Sequence, residues 1–106
     1  MTIERPAGEV YAFVCDPKNL ARWASGLSAA VKVRFVERNA FGVLDHYVKV
    51  DSGAEVYVPM RVFANGEGAE VLLTVFRRPG TSEEKFAEDT HWVRRDLEAL
   101  KQLLEK

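Results

Sequence analysis

The sequence predicts an α+β fold in which a curved antiparallel sheet packs on a long C-terminal helix. The predicted element order is β-α-α-β4-α across residues 1–106. Three observations carry that reading. Val10, Phe13 and Val14 recur at helical spacing near the N-terminus. From Val31 to Arg78 the apolar period falls to two, with turn residues between the runs. After Pro79-Gly80 the helical period returns in Phe86, Val93, Leu97, Leu100 and Leu104.

Met1–Arg5 reads as a short strand. Pro6 suits the first turn of a helix, where its missing N–H costs nothing, and Glu9 there favours the helix dipole. Asp16-Pro17 ends this helix and starts another, with Asp16 as cap and Pro17 at the first helical position. Leu20, Trp23 and Ala24 form the second helix's apolar side, and Gly26 stops it. Val31–Arg38 is a strand, and Asn39–Gly42 is a turn. In the next strand Leu44, His46, Val48 and Val50 share one face, while Asp45, Tyr47 and Lys49 share the other. Asp51-Ser52-Gly53 closes it. Ala54–Val62 alternates through Val56, Val58, Met60 and Val62, with Pro59 marking an edge or a bulge. Residues 64–70 form a hairpin loop around Asn65-Gly66. Val71–Arg78 is a strand that is partly apolar on both faces. Thr81 or Ser82 caps the final helix, and Thr81-x-x-Glu84 reads as a capping box. An Arg94–Glu98 pair is expected on its polar side.

With 47% of residues apolar and 29% charged, the composition is that of a folded globular domain. Fifteen basic residues against sixteen acidic ones leave no global field that would attract nucleic acid or a membrane surface. No apolar run approaches the length of a membrane span, and Arg5-Pro6 interrupts the start, unlike a signal peptide. Cys15 is the only cysteine, so no disulfide forms within the chain. A free thiol points to a reducing, cytoplasmic setting.

The opening residues, Ile3 to Leu27, resemble those of START-like (SRPBCC) domains of the polyketide cyclase/dehydrase type. The matching pieces are the strand into Arg5-Pro6, Glu9-Val10-Tyr11-Ala12-Phe13-Val14, Asp16-Pro17, Leu20 and Arg22-Trp23. Asp96-Leu97-x-x-Leu100-Lys101 resembles the family's last helix. The resemblance implies a helix-grip fold, a sheet gripping the long helix around a cavity. It does not imply one reaction, because such folds host carriers, receptors, cyclases and co-chaperones. Members usually carry six strands before the last helix, and four are read here. A shortened sheet implies a small or open cavity, or a second copy covering the exposed flank as a homodimer.

On this register His46 faces the cavity with Leu44, Val48, Val58 and Met60. It is the candidate catalytic residue, since an imidazole titrates near neutrality. The plainer reading is a core histidine bonded to a backbone carbonyl. Asp45 points to the opposite face, so no Ser-His-Asp constellation forms. The resemblance places Trp23 at the cavity mouth, and Phe76 and Trp92 complete the expected ligand-binding set, although all three also suit ordinary packing. His91 has no metal-ligand spacing with His46, and no metal or cofactor is expected. Glu55, Tyr57 and Arg61 share the solvated outer face with Asp45, Tyr47 and Lys49, where Tyr and Arg suit an interface. The expected function is a carrier or sensor of a small apolar or aromatic molecule. The alternatives are a cyclase or dehydrase working through His46, and a cavity-less dimerisation module.

Overall fold

The computed structural model describes residues 1–24, 32–49 and 53–106. A short strand β1 (Thr2–Ile3) leads into helix α1 (Ala7–Val14), a 3-10 turn (Pro17–Asn19) and a short helix α2 (Leu20–Trp23). The strands β2 (Lys32–Phe35), β3 (His46–Lys49), β4 (Glu55–Val58), β5 (Met60–Asn65) and β6 (Gly68–Leu73) follow, and helix α3 (Glu83–Leu104) comes last. The fold is α+β with antiparallel sheets and a C-terminal helix packed on them.

The strands run in the orders β1-β6-β5 and β2-β3-β4. Pro59 is the reason one expected strand, Ala54–Val62, is split in two. Proline has no N–H to give to a ladder. The pairing nevertheless continues past it. Val43 bridges Arg61 in the same register that sets His46 against Val58. Leu44 donates its N–H to Met60 O at 2.8 Å, and Val62 donates to Gly42 O at 2.9 Å. The two sheets therefore merge on either side of Pro59.

Local chemistry sets the turns. Asn39 Oδ1 accepts from the N–H groups of Phe41 (3.0 Å) and Val43 (3.1 Å), which fixes the turn into Gly42. Gly42 has φ +73°, and a side chain there would collide with the Val62 carbonyl. The β5–β6 hairpin is tighter than expected from residues 64–70. Asn65 pairs directly with Gly68, and Gly66 takes up the reversal at φ +62°. Asp16 caps the 3-10 turn by accepting from Lys18 N–H at 3.0 Å, as expected. Ser82 rather than Thr81 caps α3, accepting from Lys85 N–H at 3.0 Å. The Thr81-x-x-Glu84 box is therefore corrected to a simple serine cap. The expected strand start at Val31 and the stops at Gly26 and Asp51-Ser52 lie outside the described residues.

The core sits where β1, β5 and β6 meet α1, α2 and the C-terminal half of α3. Ile3, Val10, Val14, Met60 and Leu100 are fully buried there. Each such side chain contributes about 1.5–3 kcal/mol when removed from water. The same end is tied by polar contacts. Arg5 Nε donates to Leu104 O at 2.6 Å and Arg5 Nη2 to Lys106 O at 2.9 Å. A guanidinium on the last carbonyls of a helix complements its dipole. Lys101 Nζ reaches Thr2 O at 2.7 Å.

Candidate functional site

The polar chemistry of the sheet concentrates at the Pro59 interruption. Asp45 lies opposite Pro59 and is buried, with 6% of its surface exposed. This corrects the expectation of a solvated Asp45. Its side chain does leave the sheet on the outer side, but it is covered there. Its carboxylate accepts from Tyr57 OH at 2.6 Å and from Met60 N–H at 2.9 Å, and it pairs with Arg61. The acid takes the Met60 N–H that a regular ladder would give to Leu44 O. That carbonyl instead engages His46 Nδ1 at 3.0 Å.

His46 is 1% exposed, and its ring packs on Phe35 with centroids 5.0 Å apart. Burial lowers its pKa from the ordinary 6.5, and the bond to Leu44 partly opposes the shift. A neutral, enclosed imidazole with one nitrogen committed to a carbonyl matches the core-histidine reading. Asp45 and His46 are sequence neighbours with separate partners on opposite faces, and no bond joins them.

The other expected ligand-binding residues divide into two groups. Trp23, Leu44, Val48 and Met60 are buried, and Trp23, Leu44 and Met60 belong to the main apolar cluster. The Trp23 indole Nε1–H has no hydrogen-bond partner among the described residues. Val58 is half-buried opposite His46. Phe76 and Trp92 turn to solvent. Phe76 is 56% exposed and stacks on Tyr57 at 6.3 Å. Trp92 is 39% exposed, and the Arg95 guanidinium lies 4.9 Å from its ring centroid. None of these eight residues lines either of two grooves formed by the described residues.

One groove, of about 330 Å³, opens between the end of β6 and the middle of α3. Leu73 and Val75 form one wall, Thr90, Val93, Arg94 and Leu97 form the other, and Met1 adds to the lining. It lies between sheet and helix, away from the residues expected to line a cavity. Arg94 has no ion pair or hydrogen bond among the described residues. The expected Arg94–Glu98 pair is not formed. The ion pairs along α3 are Lys85–Asp89 and Lys101–Glu105. Sequence reasoning missed Leu73, Val75 and Arg94. The available signal was the apolar run on both faces of Val71–Arg78, which marks a strand with a second apolar duty.

A second groove, of about 410 Å³, lies between the start of α1, the Asn39–Gly42 turn and β5. Its polar groups are already used. Tyr11 OH accepts from Asn39 N–H at 2.9 Å, and the Asn39 amide serves the turn. Apolar residues, among them the exposed Phe41 and Phe63, line the rest, and no charged side chain is there to orient a ligand.

Among the described residues no group of three His, Cys, Asp or Glu side chains could hold a metal ion. No helix among them is long and apolar enough to cross a membrane. Cys15 is buried, and His91 is exposed. No family model and no curated protein matches the chain.

Proposed function

We propose that this chain binds small apolar molecules bearing an acid group, in the groove between β6 and α3 of a shortened START-like, helix-grip domain. The supporting observation is the groove's make-up: four aliphatic side chains, Leu73, Val75, Val93 and Leu97, beside one unpartnered guanidinium, Arg94. An apolar body is favoured by the walls, and a carboxylate is matched by the guanidinium. At about 330 Å³ the groove sits at the small end of ligand sites, which run from about 300 to 1,000 Å³. A short fatty acid or an aryl acid fits that description. The cyclase or dehydrase reading ranks lower, because His46 is enclosed and does not line the groove.

Calorimetric titration with decanoate, and with decanol as its uncharged counterpart, tests the reading. Decanoate is expected to bind more tightly than decanol. Arg94→Gln is expected to weaken decanoate about tenfold, the loss of one charge-assisted hydrogen bond, and to leave decanol unchanged. Val93→Trp fills the groove and abolishes both. No binding of either probe, or binding indifferent to Val93→Trp, contradicts the proposal.

A further inference from the structure

The outer face of the sheet, away from the helices, is apolar where a solvated face is expected. Phe63, Leu72, Phe76 and Tyr57 are 49%, 51%, 56% and 39% exposed. The register makes them one patch. Leu72 lies opposite Arg61 and Phe63 opposite Glu70, while Tyr57 lies opposite Tyr47 and stacks on Phe76. Contiguous exposure of large apolar side chains marks an interaction surface more often than a monomer's free face.

The charges on this face say what covers it. At its centre Arg61 is neutralised by Asp45, so no net charge there selects a partner of opposite sign. Its ends differ. At one end Lys32 and Lys49 pair across β2 and β3, exposed and without ion pairs among the described residues, beside an Arg34–Glu55 pair that adds no net charge. Glu70 stands at the other end with an ionised carboxylate, its pKa lowered chiefly by the Thr2 hydroxyl. A face with an apolar middle, a basic end and an acidic end complements itself. We propose that this face docks on the same face of a second copy. A two-fold axis lying in the interface across the apolar middle brings the lysine end of each copy over the Glu70 end of the other.

Strand geometry makes the face roughly 27 Å long and 14 Å wide. That is less than the roughly 800 Å² per partner of a standard interface, so a weak, concentration-dependent association is expected. The proposal is independent of the groove, which lies between the sheet and α3.

Sedimentation velocity from about 5 to 500 µM tests it. The weight-average coefficient is expected to rise from the monomer to the dimer value across this range. Leu72→Lys and Phe76→Lys, at positions too exposed to threaten folding, are each expected to weaken dimerisation at least about tenfold, as truncating a central anchor does. Lys49→Glu is expected to weaken it, and Lys49→Glu with Glu70→Lys to restore it. A monomer throughout the range overturns the proposal, leaving the face to a different partner. A dimer untouched by Leu72→Lys and Phe76→Lys also overturns it. A double charge reversal that fails to restore association rules out the two-fold arrangement.

Discussion

The two halves of α3 meet the rest of the molecule in different ways. The C-terminal half is locked. Leu100 and Leu104 are buried in the main cluster, Arg5 holds the last carbonyls, and Lys101 ties Thr2. The N-terminal half has the same helical stripe but less to pack against. Phe86 and Val93 are only half-buried, and Trp92 is exposed. β6 ends at Leu73, so the helix continues past the strand it would cover, and the groove opens there. One amphipathic helix thus serves as core at its C-terminal end and as the wall of a groove at its middle. The difference comes from the length of the neighbouring strand, not from the helix's own pattern.

The largest expected effect contrasts these halves directly. Leu100→Ala removes a fully buried side chain and is expected to cost about 3 kcal/mol in urea unfolding. Val93→Ala, on the groove wall, is expected to cost no more than about 1 kcal/mol. Equal costs would mean that the groove is closed in solution.

Next in size is the Pro59 interruption. Asp45→Ala leaves Met60 N–H and Tyr57 OH without their acceptor and removes the partner of Arg61. The expected cost is about 2–3 kcal/mol by the same unfolding measurement. Arg61→Ala is expected to cost less, because its side chain is 44% exposed. The reverse order would show that the carboxylate is not the hub.

A smaller effect comes from pH. His46 has a lowered pKa in the fold, so the unfolded chain binds the proton more readily. Its contribution is fully present above about pH 6.5, the unfolded value, and is lost as pH falls from there toward the folded value. The melting temperature is expected to fall between pH 7.5 and 5, and less steeply in His46→Phe. An unchanged slope in that variant would assign the pH dependence to other groups.

The sequence carried the fold further than it carried the site. The change of period from helical to two and back gives the order of helices and strands, because burial on one face imposes those periods, but it merges β4 with β5 and runs the last strand on to Arg78, where the structure ends β6 at Leu73. It also put His46, Leu44 and Met60 together on the buried face. Two things were out of reach. Asp45 read as solvated because alternation gives a side chain's direction but not what covers it, and the cover comes from Tyr57 and Arg61 on the neighbouring strands. The groove is not legible because an inward-facing residue need not line a cavity. Whether an inward face packs or leaves space depends on how far β6 runs beneath α3, a length that periodicity near Arg77-Arg78 does not define.

The proposed ligand enters where β6 ends against the middle of α3 and not in the core beneath β3. Methyl NMR of the protein titrated with decanoate tests it most directly. The account predicts shifts at the methyls of Leu73, Val75, Val93 and Leu97, with Leu44, Val48, Met60 and Leu100 unmoved. Shifts centred on Leu44, Val48 and Met60 would contradict it.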